Sequence, residues 1–151
     1  MIYRKAKMSD VPEIHKLING FAEHGLMLAK PLIAIYDNLR EYILAEENGL
    51  IVGVGGLHIL WSDLAEVRSL AVREDWHCHG IGKHIVEELE KEARELGVPQ
   101  IFALTYQEEF FHSLGFQKVD NKLLPQKVWT ECINCPKFPE CDEVAMMKSL
   151  T

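Results

Sequence analysis

Residues 64–96 constrain the fold of this chain more than any other stretch. They begin with an apolar, strand-like run over 65–72, continue through a polar turn that carries Gly80 and Gly82, and then open an amphipathic helix. A strand, a glycine turn and a helix N-terminus form an anion site, because backbone N–H groups point outward there and the helix dipole favours negative charge. Glycines let a phosphate approach the backbone. The stretch therefore predicts a phosphate-bearing ligand at this turn.

The residues of the turn distinguish among such ligands. The chain has neither a GxGxxG fingerprint after a first strand nor a GxxxxGK[ST] loop. The turn reads His77-Cys78-His79-Gly80-Ile81-Gly82-Lys83, after a strand that ends Arg68-Ser69-Leu70-Ala71-Val72. This pattern resembles the Gln/Arg-x-x-Gly-x-Gly/Ala signature of the GNAT superfamily of acetyl-coenzyme A N-acetyltransferases. His77 stands where that family usually has Gln or Arg, so the phosphate contact there is expected to be weaker or to depend on pH.

Composition and charge exclude several classes of protein. The 151 residues are 48% hydrophobic and 26% charged, as in an ordinary globular protein, and this length predicts one domain over residues 1–151. A net charge of −7 argues against a nucleic-acid partner. There is no apolar run long enough to span a bilayer and no signal peptide, so we expect a cytoplasmic protein without a membrane partner.

Hydrophobic periodicity predicts an α/β domain with a mixed central sheet and the order β-α-α-β-β-β-α-β-α-β-β. Strands are predicted near residues 1–7, 41–46, 50–60, 65–72, 101–105, 116–119 and 144–147, and helices near 9–25, 31–38, 81–96 and 108–114. Ser9 is predicted to cap the first helix and Gly25 to end it.

Three features of this pattern point to a site. The strand at 101–105 follows a helix, so it should run parallel to the strand before that helix and splay from it at the C-terminal ends, where ligands of α/β sheets bind. Glycines 53, 55 and 56 within one strand predict a bulge or a close backbone approach. Residues 120–143 form a Cys/Pro-rich loop inserted before the last strand, and so long a loop is usually functional or cross-linked.

The resemblance to the GNAT superfamily covers nearly the whole chain. The order of elements is similar, and Phe110-Phe111-His112-Ser113-Leu114-Gly115-Phe116 resembles the late aromatic-x-x-x-Gly-Phe element. Residues 30–32, 65–72, 102–105, 124–129 and 132–146 resemble the short bacterial N-acetylglutamate synthases. This resemblance implies direct acetyl transfer from acetyl-CoA to the α-amine of L-glutamate in a ternary complex, the first step of arginine biosynthesis. It implies no amino-acid-kinase domain and no regulatory arginine site.

The same resemblance implies where the cofactor binds. Backbone groups at the end of the central strand would hold the pantetheine arm and orient the thioester carbonyl, and amides of the glycine turn would hold the pyrophosphate. The implied cofactor residues are Leu70, Ala71, Val72, His77, Cys78, Gly80, Ile81, Gly82, Lys83 and Phe111. The alternative is a plain strand-turn-helix connection.

Acetyl transfer requires a deprotonated amine and a polarised thioester carbonyl. Glu66 is the candidate general base, acting through water; the alternative is a structural ion pair with Arg68, two residues away on the same strand face. In many relatives a tyrosine of the aromatic pair protonates the leaving thiolate, but Phe110 and Phe111 fill those places here. Water or another group must then supply that proton, unless the thiolate leaves without a dedicated acid.

An acceptor with two carboxylates needs cations. The resemblance places Arg68 and Lys30 at the substrate, and an arginine fork suits a carboxylate. Ser69 would add a hydrogen bond if its side chain faced the same cleft, although strand alternation argues against this. The alternatives are a salt bridge for Arg68 and a solvated surface residue for Lys30. Further cations without a supporting motif are Arg4, Arg40 and Arg73.

The cysteines suggest a separate metal site. Cys132, Cys135 and Cys141 have the spacing C-x2-C-x5-C, which in a cytoplasmic protein indicates metal or redox chemistry before structural disulfides. A structural zinc ion needs a fourth ligand, for which His79, Cys78 and Asp142 are candidates. The alternative is three reduced cysteines, or one disulfide and a free thiol.

Two other classes of function stay open at this point. One is a GNAT enzyme for a different amine, such as a polyamine or a protein N-terminus, which the acidic net charge would suit. The other is a non-catalytic module that senses coenzyme A or metal through the cysteine loop. Since family members often dimerise through their late strands, a homodimer is expected.

Overall fold

The structure, a computed structural model, describes residues 1–23, 30–77, 79–120 and 144–150, with the backbone alone for 21–23. Within them seven strands occur: β1 (Ile2–Lys5), β2 (Tyr42–Glu47), β3 (Leu50–Trp61), β4 (Leu64–Val72), β5 (Gln100–Thr105), β6 (Gln117–Val119) and β7 (Val144–Ser149). The helices of the same residues are α1 (Val11–Glu23), α2 (Leu32–Asp37), α3 (Ile81–Leu96) and α4 (Glu108–Ser113). The predicted order of elements is therefore confirmed.

All seven strands join one mixed sheet in the order β1-β2-β3-β4-β5-β7-β6. Neighbouring strands are antiparallel except for β4 and β5, which run parallel on either side of the crossover through α3. Helix α1 packs on β3 and β4, whereas α3 packs on β2, β3 and β4. Apolar clusters lie beneath both helices, and this separates an α1 face of the sheet from an α3 face. In the part of the chain that the structure describes, no helix is long and apolar enough to cross a membrane.

The parallel strands splay, as predicted. β4 pairs with β5 only through Ala65 with Ile101 and Glu66 with Phe102. Beyond these pairs β5 stays hydrogen-bonded to β7 as far as Thr105, while β4 continues to Val72 without pairing to β5. The C-terminal halves of the two strands therefore diverge, and an opening forms between them at the end where α/β sheets bind ligands.

A β-bulge in β4 lies opposite the glycines of β3. Val54 pairs with Ala71 and Gly56 with Arg68, so two residues of β4 oppose the single residue Gly55. The first of them, Ser69, has φ +55, in the left-handed region that non-glycine residues rarely adopt. A bulge bends the strand and reverses its side-chain alternation beyond that point. The predicted bulge is thus present, with the extra residue in β4.

The second role predicted for these glycines, a close approach, also holds. A Cβ at Gly55 would lie 2.6 Å from Cγ2 of Ile85 on α3, and one at Gly53 would lie 3.0 Å from both Ile81 Cγ2 and Ile85 Cδ1. Helix α3 therefore rests directly on the backbone of β3. This contact fixes where the N-terminus of α3 stands relative to the splayed strands.

The predicted cap of the first helix is wrong. Ser9 lies inside a 3₁₀ turn, Met8–Asp10, that precedes α1, and the carboxylate of Asp10 accepts the backbone N–H of Lys7 at 2.7 Å. Arg4 also holds this carboxylate, with N–O distances of 2.8 and 3.0 Å. Arg4 additionally pairs with Glu46 on β2 at 3.3 Å. The predicted helix end, Gly25, lies outside the described residues.

Replacing Asp10 by asparagine is expected to destabilise the fold in a pH-dependent way. The Arg4 guanidinium holds the pKa of the buried Asp10 carboxyl below its usual range. A carboxyl with a lowered pKa stabilises the fold above its unfolded-state pKa, and this contribution is lost as the pH falls through its folded-state value. Urea unfolding at pH 7 should show a loss of about 1–3 kcal/mol, the usual cost of an unmade buried hydrogen bond. Below about pH 4 the difference should shrink.

Asp75→Asn is the matched control. Asp75 pairs with Arg73 at 3.3 Å, but its side chain is 65% exposed. An exposed pair contributes about 0–1 kcal/mol, so this variant should unfold almost as the parent does at both pH values. Equal effects of the two substitutions would show that Asp10 has no special role.

Candidate active site

A cavity of about 560 Å³ lies where β4 and β5 separate. Four parts of the chain form its wall: the bulged end of β4, the turn before α3 with the first turn of that helix, the end of β5, and α4. Most of the cofactor residues predicted from the sequence lie on this wall, namely Leu70, Ala71, Val72, His77, Gly80, Ile81, Gly82, Lys83 and Phe111. Ser69 lines it as well, since the bulge breaks the alternation that argued against this residue. Cys78 lies outside the described residues.

The wall of the cavity includes residues from both faces of the sheet. Val67 and Ala103 on its wall belong to the apolar cluster beneath α3. Ala71, also on the wall, belongs to the cluster beneath α1, and Leu104 packs against residues of the same face. The splay therefore connects the two faces. A long ligand lying against α3 can present its end to groups on the α1 face.

The turn before α3 has the geometry of an anion site. Gly80, the N-cap of the sixteen-residue helix, has φ +74, a conformation natural to glycine. A Cβ at Gly82 would lie 3.3 Å from Cζ of Phe110 and 3.8 Å from Cγ2 of Val72, so it would intrude on the cavity. The first turn of α3 is fully described and holds no acidic side chain, whereas Lys83 lines the cavity. The helix dipole and this lysine make the end of the cavity positive.

His77 is held against the end of β4. Its Nε2 lies 2.8 Å from the carbonyl oxygen of Val72, and because a carbonyl can only accept, Nε2 carries the hydrogen. The ring lies on the cavity wall beside Trp76, which sequence reasoning did not identify. Thr105 and Gln107 were also missed; they are joined by a 2.8 Å bond from the Gln107 N–H to Thr105 Oγ1. Thr105 ends β5 and Gln107 follows it, and this place at the C-terminal end of a splayed strand was the signal available.

Glu66 and Arg68 form an ion pair. Arg68 Nε donates to Glu66 Oε1 at 2.7 Å, and each side chain is only 11% exposed. The alternative interpretation of Glu66 as a partner of Arg68 is therefore realised in the structure. The described wall of the cavity includes neither residue. Both precede the bulge on the α1 face, on the strand whose end forms the wall.

Lys30 is not a solvated surface residue, because only 9% of it is exposed. Helix α1 fixes its backbone through Asn19, which sequence reasoning missed. Asn19 Oδ1 accepts the Lys30 N–H at 3.1 Å, and Asn19 Nδ2 donates to the Lys30 carbonyl at 3.1 Å. This two-point contact places Lys30 just before α2, which packs against α1.

The aromatic pair contributes shape and no proton donor. The rings of Phe110 and Phe111 meet edge to face at 5.1 Å, and both line the cavity. The candidate zinc ligands Cys132, Cys135 and Cys141 lie outside the described residues. Within the residues that are described, no group of three His, Cys, Asp or Glu side chains could hold a metal ion.

The sequence matches the model of the Acetyltransferase (GNAT) family over residues 11–116. The chain belongs to the GNAT family. It is an acetyl-CoA-dependent N-acetyltransferase, with the α/β fold of that family. The matched residues include all of β4, the glycine turn and the aromatic pair, so the family model spans every described part of the cavity wall.

Three known proteins are similar to this GNAT domain in sequence or in fold. It is 38% identical to an amino-acid acetyltransferase of Mycobacterium tuberculosis over 86% of this chain and 76% of the relative. A solved M. tuberculosis structure in complex with CoA and a second ligand is 32% identical, with a TM-score of 0.87 and 100% coverage of both chains. N-acetylglutamate synthase of Neisseria gonorrhoeae, solved with coenzyme A and N-acetyl-glutamate, shares the fold at a TM-score of 0.91 and 24% identity, over 99% of this chain and 35% of that one.

Proposed function

We propose that this acetyltransferase transfers the acetyl group of acetyl-CoA to the α-amine of L-glutamate. The observation that carries the proposal is the cavity at the splay of β4 and β5, whose wall includes residues of both apolar clusters and the part of β4 that directly follows Arg68. Arg68 and Lys30 are both largely shielded from water, and a cation in such a place suits an acceptor with carboxylates. Substrate recognition is the role we assign to them, together with Ser69 at the bulge.

The cofactor would lie along the α3 side of the cavity. The pyrophosphate fits the amides at the N-terminus of α3, near Lys83. Backbone groups of residues 70–72 that do not pair with β5 would hold the pantetheine arm and orient the thioester carbonyl. The apolar ring of Phe111 would pack against that arm. The thioester would then lie in the splay, where an amine from the α1 face can attack it.

The relatives support this choice of acceptor. One is an amino-acid acetyltransferase with 38% identity, and the gonococcal synthase that shares the fold was solved with N-acetyl-glutamate. Glutamate differs from most amines in carrying two carboxylates, which a partly buried arginine and a buried lysine would suit. We place the reaction in the cytoplasm.

Release of CoA from acetyl-CoA in the presence of L-glutamate, L-aspartate, L-glutamine, L-ornithine or spermidine tests the proposal. Glutamate should be turned over with the highest kcat/KM, and glutamine should be weaker because it lacks the side-chain carboxylate. A reaction without acceptor measures background hydrolysis. Preference for spermidine or ornithine would overturn the glutamate assignment and indicate that the net charge of −7 selects a cationic acceptor.

A further inference from the structure

A hydrogen-bonded pair of a histidine and a glutamate lies beside the ion pair of Glu66 and Arg68. His58 on β3 is bonded through Nδ1 to Oε2 of Glu41 at 2.7 Å, and the side chains are 28% and 24% exposed. His58 lies directly opposite Glu66 in the antiparallel register of β3 and β4. Directly opposite residues point to the same face, with Cβ atoms about 4.5–5.5 Å apart. The His58 ring and the Glu66 carboxylate are therefore neighbours on the α1 face.

The two pairs differ in their ability to accept a proton. Glu66 is nearly buried, and its carboxylate is engaged by the Arg68 guanidinium at 2.7 Å, a contact that competes with its use as a base. His58 has no cation bonded to it in the described structure; its partner is a carboxylate. Because that carboxylate only accepts, Nδ1 carries the hydrogen and Nε2 presents a lone pair. A carboxylate also stabilises the imidazolium that forms when Nε2 takes a proton.

We propose that His58, oriented by Glu41, takes the proton from the acceptor ammonium through one intervening water. The identity of the acceptor rests on the proposed function. One N–H bond of the ammonium breaks and its proton moves through the water to Nε2. The free amine then attacks the thioester carbonyl, a C–N bond forms, and the C–S bond breaks. The second amine proton passes to the departing thiolate, and the partly exposed imidazolium returns its proton to solvent.

The surroundings of His58 are suited to this role. The titratable and charged groups that face it are Glu41 before β2, Tyr42 at the start of β2, and Glu66 and Arg68 on β4. His58 is also two residues from Gly56, which pairs with Arg68 where the bulge begins. His58 thus lies opposite the last residue of β4 that pairs with β5, where the splay begins, and it is partly exposed to solvent. Glu66 remains a fixed anion that balances Arg68.

The pH dependence of kcat/KM for His58→Gln tests the proposal. At pH 7 the variant should lose about a hundredfold in kcat/KM, at the lower end of the general-base contribution. The wild-type profile should bend between about pH 5 and 8, where histidine side chains titrate, and the variant should lose this bend. The KM for acetyl-CoA and the Tm should stay near wild type. Glu41→Gln should also lower kcat/KM, because an amide can donate to Nδ1 as well as accept from it and so no longer fixes the tautomer of the ring.

His84→Gln is the matched control. His84 also pairs with a glutamate, Glu88, at 3.4 Å, but on the exposed surface of α3. Its pH profile should equal that of the wild type. If the pH profile of His58→Gln keeps the bend of the wild type with any acceptor that is turned over, the proposed role of His58 is wrong. Turnover of the acceptor panel is measured first on the wild-type enzyme, and this shows by itself whether glutamate is the acceptor. The pH profiles of the wild type and of His58→Gln are then measured with the amine that reacts.

Discussion

Replacing Gly82 by aspartate is expected to abolish acetyl-CoA binding while leaving the fold intact. A side chain there enters the cavity between Phe110 and Val72, at the positive end of α3. Two unit charges 4 Å apart repel by about 4 kcal/mol near a protein surface, which corresponds to roughly a thousandfold in affinity. An acidic residue in the first turn of a helix is otherwise favourable, because it complements the helix dipole. Calorimetric titration with CoA should show no binding, and the Tm should not fall.

Gly82→Asn separates charge from bulk. Asparagine has nearly the size of aspartate without its charge, so the loss of affinity due to crowding alone appears in this variant, and the difference between the two measures repulsion of the pyrophosphate. Equal losses would show that crowding against Phe110 dominates. Normal CoA binding by Gly82→Asp would contradict the assignment of the pyrophosphate to this end of the cavity.

The fold was predictable because it depends on patterns local in the sequence. The run of apolar residues before Gly80 and the amphipathic stretch after it define β4 and α3 at almost their observed bounds. A strand joined to its predecessor by one crossover helix commonly returns parallel to it, so the β4–β5 pair and its splay were predictable as well. The cavity wall was predictable for the same reason, since most of it belongs to these elements.

The remaining features depend on residues far apart in the chain. Ser9 has the propensity of a cap, but it lies inside a 3₁₀ turn whose Asp10 is bound by the distant Arg4 and by the Lys7 N–H. Lys30 is buried and its backbone is bonded to Asn19, eleven residues away, and no spacing rule reveals either fact. The sequence predicted the bulge in the strand that contains the glycines, β3, whereas the extra residue lies in its neighbour β4.

The pair of Glu41 and His58 was also invisible to sequence reasoning. Seventeen residues separate the two, and their contact appears only once β2 and β3 have paired in register. A sequence motif can reveal a histidine and a carboxylate that lie one helical turn apart. Here Glu41 lies in a turn and His58 in a strand, so their spacing forms no such motif. The pair on the α1 face, and its place opposite Glu66, can therefore be recognised only in the folded structure.

Arg68→Ala is expected to lose both stability and glutamate recognition. Removing one partner of a buried ion pair costs about 3–5 kcal/mol, because the remaining charge is left without compensation. Glu66 would be that charge, since its side chain is 11% exposed. If Arg68 also binds the acceptor, kcat/KM for glutamate should fall by about a hundredfold, equivalent to about 3 kcal/mol. The Kd for CoA should change little, because the described cavity wall does not include Arg68.

The double variant Glu66→Gln/Arg68→Ala separates the two roles of the arginine. Removing both charges leaves no uncompensated ion, so the Tm should recover toward that of Glu66→Gln. Recognition should not recover, because glutamine and alanine together offer the acceptor carboxylate no cation. Arg68→Lys should retain part of both properties, since an ammonium keeps the charge but not the guanidinium fork. Activity that returns together with stability in the double variant would show that Arg68 serves only to balance Glu66, and the acceptor carboxylates would then have to be bound by Lys30 without it.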